Sequence, residues 1–263
     1  MQRKLGILSD CIVGEHPLVT LERVKDHGFN AFFSSCAYLD LPTVSALQDK
    51  AQKLGLSYEF MHGPFFGVNG MWTEAETPNI HREMLQAIET AAKTGVKRVI
   101  AHVSSSFTPP PVNDLGLRRF DEWVELAEKK GVVLAFENLR KLGNLACLMD
   151  RYEQSAAVKF CYDCGHEHCF TVTVPFLALY GDRVACTHIH DNLGRDYTKA
   201  NGGDLHRLPF DGEIDYQRMM QGLNAADYTG ALTLEVDNKH YQELTADAFL
   251  RTAYERLERL SKL

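Results

Sequence analysis

The chain has 263 residues, 45% of them hydrophobic and 24% charged, with a formal net charge of -7 at pH 7. That is enough chain for one large domain with a full core, and the acidic balance argues against nucleic acid or an anionic membrane surface as the partner. The apolar runs are too short for a transmembrane helix, the opening MQRKLGILSD lacks the apolar region and cleavage site of a signal peptide, and seven cysteines in a chain too large to need staples fit a reducing cytoplasm.

Strand-like and helix-like segments alternate from end to end. KLGIL, near residues 4–8, reads as the first strand. Leu18, Leu21, Val24 and His27 then follow helical spacing, and Gly28 stops the helix. AFFSS (31–35) is the second strand; VSALQDKAQKL follows Pro42 as a helix and ends at Gly55. LSYEFM is the third strand, with His62 at its tip. A loop carrying Gly63, Pro64, Gly67 and Gly70 leads to a helix over about 79–94. KRVIAHV is the fourth strand and contains His102; the proline-rich SSSFTPPPVND after it reads as an active-site rim. A helix over about 115–130 ends at Gly131, and VVLAF runs as the fifth strand into Glu137.

A short helix over roughly 144–153 precedes AVKFCYD, the sixth strand, which carries Asp163. A helix near 174–180 follows, then VACTHIH, the seventh strand, carrying His190. A long polar loop (191–212) leads to a helix over about 215–226. ALTLEV is the eighth strand and carries Glu235, and a helix over about 244–262 closes the chain. Eight alternations without a linker predict a single (β/α)8 barrel over residues 1–263. The competing open doubly wound sheet expects a GxGxxG turn after its first strand, where this chain has SDCIVGEHP.

Nine metal-capable side chains fall at or just beyond strand ends: His62, His102, Glu137, Asp163, His166, His190, Asp204, His206 and Glu235. In a barrel of this type that is the C-terminal mouth, where active sites are built. Glu137 and Glu235 each follow an apolar strand, VVLAF and ALTL. A carboxylate buried there is expensive alone, and a metal satisfies two at once. Carboxylates with one imidazole suit Mn, Mg, Co or Zn.

Asp163 and His166 stand in DCGH on the turn leaving a strand, so His166 is a ligand for a second ion or a hydrogen-bond partner for a substrate hydroxyl. His188 and His190, two apart in HIHD, face the same side of a strand. His190, nearer the mouth, is read as the ligand and His188 as a packed or supporting histidine, with Asp191 as a loop group. His62 and His102 are substrate contacts or ligands of a second ion. Asp204 and His206 form a DxH pair able to chelate one ion if their loop crosses the mouth. Arg195 reads as a charge that neutralises an oxyanion, or as a solvated surface group. Phe65, Phe66 and Trp72 form a wall over a sugar or pack the rim. Cys161, Cys164 and Cys169 lack a second distant CxxC and read as incidental thiols rather than a zinc site.

On these residues the chain resembles the xylose-isomerase-like barrel superfamily along essentially its whole length. That group spans sugar and sugar-phosphate isomerases and epimerases, inosose dehydratases and barrel-type abasic-site endonucleases. The resemblance to the ketose 3-epimerases implies one divalent metal on Glu137, Asp163, His190 and Glu235, with His166 three residues after the aspartate. Those epimerases carry an arginine six residues after the metal histidine, whereas Arg195 is five after His190. The resemblance to the endonucleases implies all nine residues as ligands of three zinc ions. Against it stand GILSDC where the endonucleases have a GxHxS-type motif, the acidic balance, and DLHRLPFDGEID, which is similar to a DxHLPxGxGxxD segment of sugar-type members but has Phe210 and Asp211 where the usual glycine would be.

The implied activity is a divalent-metal sugar isomerase or epimerase (Mn, Zn, Mg or Co; one ion) acting on a sugar, sugar phosphate or polyol through a cis-enediolate. Glu137 and Glu235 are its acid and base, with His166 and Arg195 as further catalytic candidates. The alternatives are an inosose-type dehydratase, which shares the first proton removal, and a phosphodiesterase with two or three ions. Barrels of this size often self-associate, so a homo-oligomer is consistent with the chain, although no surface stripe marks an interface.

Overall fold

The structure is a computed structural model that describes residues 3–74 and 79–263. Eight strands run parallel: β1 (Leu5–Leu8), β2 (Ala31–Ser34), β3 (Ser57–His62), β4 (Arg98–Ala101), β5 (Val133–Glu137), β6 (Val158–Asp163), β7 (Val184–His188) and β8 (Leu232–Leu234). Each pairs with its sequence neighbours, and β1 also pairs with β8. A parallel bridge between Ile189 and Leu234 brings β7 to β8, so the sheet closes on itself. Nine α-helices are present among the described residues: α1 (Pro17–Asp26), α2 (Leu41–Leu54), α3 (Asn79–Thr94), α4 (Asp114–Lys130), α5 (Leu142–Arg151), α6 (Cys164–Phe170), α7 (Phe176–Tyr180), α8 (Tyr216–Ala225) and α9 (Ala246–Leu260). This is the expected (β/α)8 barrel. No helix among the described residues is long and apolar enough to cross a membrane.

Local signals set the element ends. Asp40 caps α2 by accepting from Thr43 N, with Pro42 in the first turn, and Gly55 ends it at φ 65°. Asn113 caps α4 and Gly131 ends it at φ 66°. The helix expected over 144–153 starts two residues earlier, and α6, which has no counterpart in the sequence reading, follows β6 directly. Asp163 starts α6 by accepting from His166 N at 2.6 Å.

The barrel interior is layered. Phe33, Phe60, Ile100, Ala135, Cys161 and Cys186 form a buried plug inside the strands. Side chains two residues apart on a strand share a face. The residues two beyond these on β3 to β7 are His62, His102, Glu137, Asp163 and His188. The period of the strand thus lifts one inward-facing layer of histidines and carboxylates above an apolar one.

Candidate active site

Above the plug lies a cavity of about 310 Å³, lined by His62, His102, Glu137, His166, Asp204, His206 and Glu235, with Phe65, Ser105 and Arg140 on its walls. A larger groove of about 1240 Å³ runs over α2, α3 and α4 and contains none of these donors.

Three groups of donors surround the cavity floor. Glu137, Asp163, His188 and Glu235 form the first, each offering an atom within 4.8 Å of the others. Two donors on one ion at about 2.0–2.3 Å are at most about 4.6 Å apart, so the spacing approaches that of a shared ion. The second is His62 with Glu137 and His188; beside it His102 Nε2 is 2.9 Å from Glu137 Oε2. The third is His166, His190, Asp204 and His206.

Glu137 joins the groups. Its Oε1 is 3.0 Å from His188 Nδ1 and 3.3 Å from His166 Nδ1, and its Oε2 is 3.6 Å from His62 Nε2. Glu235 Oε2 is 3.4 Å from His188 Nδ1. Asp204 reaches His166 Nε2 at 3.3 Å and His206 Nε2 at 3.2 Å, so its loop does cross the mouth. Backbone carbonyls orient the rings: His62 Nδ1 lies 2.8 Å from Gly63 O, His166 Nδ1 3.0 Å from Asn138 O, and His206 Nδ1 2.8 Å from Glu235 O. Such contacts fix which nitrogen faces the cavity.

The donor chemistry fits divalent ions. Glu137 Oε2 and Asp204 Oδ1 are buried with imidazole nitrogens close by but without a well-directed hydrogen bond, although acceptors are costly to bury unsatisfied. Burial pulls the His188 and His206 imidazoles down, but the neighbouring carboxylates outweigh it and push both up to about 10. Burial likewise opposes ionisation of Glu137, Asp163 and Asp204, yet the surrounding imidazoles hold all three below the usual carboxylate range. His102 goes the other way, lowered because burial dominates.

The histidine of the first group differs from the sequence reading. His190 is expected beside Glu137, Asp163 and Glu235, but His188 stands there, and it is not merely packed. Both rings point inward, so height decides. The β6–β7 register sets Asp163 against His188. His190, two residues higher, has Nε2 3.2 Å from Asp163 and its ring stacked 3.9 Å from His206, and so falls in the third group. It fits only because Gly165 has no side chain, since a Cβ there would lie 2.0 Å from the His190 ring.

Other candidates separate by burial. Trp72 is buried, donates to Val103 O and packs on Phe120, so it is a structural residue. Phe65 lies 4.9 Å from the His102 ring and lines the cavity; Phe66 is 77% exposed at its edge. Asp191 accepts from the backbone N–H groups of Asn192, Phe210 and Ile214 and organises its loop. All seven cysteines are free thiols. Arg195 lies over the Phe107 ring and is not among the residues that line the cavity. With His188 as reference it is seven residues on, rather than five.

Two residues go unnoticed in the sequence. Asn138 is fully buried and clamps Asp163, donating to its carbonyl and accepting from its N–H, both at 2.8 Å. Arg140 lines the cavity wall.

Fold and site together define a (β/α)8 barrel with a cluster of carboxylates and imidazoles at its C-terminal mouth. The family model described as "Xylose isomerase-like TIM barrel" matches residues 21–259, and the chain belongs to that family. An uncharacterized protein, y4fM of Sinorhizobium fredii (strain NBRC 101917 / NGR234), is 33% identical over 168 residues, or 59% of this chain. The match covers 51% of that protein, so the chain spans about half of its length.

Solved structures share the fold at low identity. A xylose isomerase domain protein from Planctomyces limnophilus superposes with a TM-score of 0.78 at 17% identity, covering 100% of this chain and 98% of that one. The 3-keto-D-glucoside 4-epimerase YcjR from E. coli, apo form, gives 0.75 at 17% identity over 100% of both chains. The IolI protein with a bound zinc atom gives 0.76 at 17% identity over 98% of both.

Proposed function

We propose that this protein is a divalent-metal-dependent sugar isomerase or epimerase acting on a keto sugar, a sugar phosphate or a related polyol. The observation that carries this reading is the convergence of Glu137, Asp163, His188 and Glu235 beneath one cavity, with two of the carboxylates from separate strands. The fold shared with an epimerase and with a zinc-bound protein supports it. The seven free thiols fit a reducing cytoplasm.

Glu137, Asp163, His188 and Glu235 would hold one ion, Mn, Zn, Mg or Co. When bound, such an ion supplies Lewis acidity that polarises a carbonyl and makes the neighbouring C–H more acidic. The rest falls to the chain. Glu137 and Glu235 project into the cavity from β5 and from the end of β8, so they approach a flat enediolate from different sides. One removes the carbon-bound proton and the other returns one. Return to the same carbon from the opposite face epimerises; return to the adjacent carbon isomerises. His166, anchored on Asn138 O, turns Nε2 towards Asp204 and the cavity, where it can steady a substrate oxygen. Phe65 covers the histidine side and keeps water from it. An inosose-type dehydration would begin with the same proton removal.

The test is solvent exchange. Keto sugars incubated with metal-loaded protein in D2O should gain deuterium beside the carbonyl, read by NMR. Glu137→Gln and Glu235→Gln should each slow that exchange by about a hundredfold or more. Full exchange in both variants would sink the assignment.

A second reading rests on the other two donor groups. His62 and His102 beside Glu137, and His166, Asp204 and His206 together, are more than a one-ion enzyme needs. They suit a two- or three-ion phosphodiesterase. Elemental analysis of protein purified without chelator separates the readings. One ion per chain favours sugar chemistry; two or three tightly held zinc ions, with cleavage of abasic DNA, favour hydrolysis.

A further inference from the structure

Two arginines without a carboxylate partner share one aromatic ring, Arg140 on the cavity wall and Arg195 next to it. Arg140, in the loop after β5 and three residues beyond Glu137, lines the cavity that Glu137 and Glu235 also line. Its guanidinium lies 4.3 Å from the Phe170 ring centre and 5.4 Å from that of Phe107. Arg195, from the loop after β7, lies over the same Phe107 ring at 3.7 Å and beside Tyr197 at 4.8 Å. Four separate segments therefore meet to hold two cations on one aromatic layer.

Neither arginine is satisfied. Among the described residues no carboxylate lies within 4.0 Å of either guanidinium. Arg140 has one long contact, 3.4 Å to Asn201 O, and the Arg195 Nε is buried with no hydrogen-bond partner. Half-buried arginines elsewhere behave differently. Arg119 donates to three backbone carbonyls, Arg183 to three more, and Arg256 pairs with Asp211. Stacking holds a guanidinium by its face and leaves its edge N–H groups free, the geometry that grips an oxyanion with two parallel bonds. The cavity floor beneath is rich in carboxylates, so an anion is drawn to this wall rather than to the floor.

We infer that the substrate is an anionic sugar, with a phosphate monoester or carboxylate at the end away from the reacting carbons, and that Arg140 and Arg195 hold that oxyanion. This inference rests on the sugar reading of the same site. The carbonyl end lies over Glu137 and Glu235 while the charged end anchors at the wall, which fixes which carbons meet the two carboxylates.

The experiment is calorimetric titration of zinc-loaded protein with fructose, fructose 6-phosphate, glucose, gluconate and inorganic phosphate. At least one charged sugar should bind about tenfold or more tightly than its neutral counterpart. A preference for the phosphate identifies a sugar phosphate, and a preference for gluconate alone a sugar acid. The double variant R140Q/R195Q should bring that ratio close to one at unchanged zinc content. If the double variant does not fold, the ionic-strength dependence of the wild-type preference replaces it, and the preference should shrink with salt. Equal binding of charged and neutral sugars, a preference that persists in the folded double variant or resists salt, or no binding of either charged sugar would each overturn the inference. Failure of the sugar reading looks different: the charged ligand binds and depends on both arginines, but no deuterium enters any sugar.

Discussion

Two layers of the same barrel, one residue pair apart along the strands, are built on opposite principles. The lower one, with Phe33, Phe60, Ile100 and Ala135, is apolar and stable on its own terms, since close packing and removal from water hold it together. The upper one, with His62, His102, Glu137, Asp163 and His188, is equally buried or nearly so and consists of groups that are costly to bury. It persists because opposite charges meet: the Glu137 and Asp163 carboxylates, held below their usual range, face the His188 imidazole, raised above its own. The plug gives the floor rigidity; the layer above it is compatible with a divalent cation.

The comparison can be broken first by pH. In the chelated protein His188 and His206 are raised to about 10 from an ordinary 6.5. Groups raised on folding stabilise fully below their unfolded value, and that stability is lost as pH rises through the folded value. The Tm of the metal-free protein should therefore fall from about pH 6.5 to about pH 10. The depressed carboxylates act in the acid range with the opposite sign, since their contribution is lost as pH falls through their folded values. Zinc-loaded protein should not show the alkaline loss, because the ion replaces the protons. Parallel melting curves of the two forms across that window test this; identical slopes would mean that the upper layer does not bind a cation.

Next comes the plug. Phe60→Ala should cost about 3–5 kcal/mol in a denaturant titration while leaving the zinc content unchanged. Loss of zinc at full stability would invert the roles of the two layers. Gly165→Ala tests the seam above them. Its Cβ would strike the His190 ring, so a loss of about 1–3 kcal/mol is expected, together with displacement of His190 visible in its imidazole NMR signals. The smallest effect belongs to a surface site outside both layers. Val172→Ser, at a 60% exposed position, should change stability by no more than about 0.5 kcal/mol.

What a single sequence shows here follows from what a strand contains. Eight period-two apolar runs separated by capped helices define the barrel, and Glu137, Asp163 and Glu235 stand out because charge ends an apolar run. The choice between His188 and His190 does not lie in their own strand. It depends on how far β7 slides against β6, a relation between segments that HIHD alone does not encode. Arg140 is likewise an ordinary arginine in ENLR until Phe107 and Phe170 arrive from other loops. Helix α6 is too short to show periodicity, although the Asp163 side chain that caps it offered a signal.

The loop between Asp191 and Arg207 is tied at its neck by paired backbone hydrogen bonds, Asp191 N to Arg207 O at 2.8 Å and Arg207 N to Asp191 O at 2.9 Å. Asp204, His206 and Arg195 all lie between those residues, in a loop that starts and ends at one clasp. The same loop is also bonded to the barrel mouth, His206 Nδ1 lying 2.8 Å from Glu235 O and Asn192 Nδ2 donating to Gly165 O, so a change of its length or sequence is felt directly at Glu235. One surface segment thus supplies a whole share of the mouth's donors, Asp204 and His206, while the strands supply the rest.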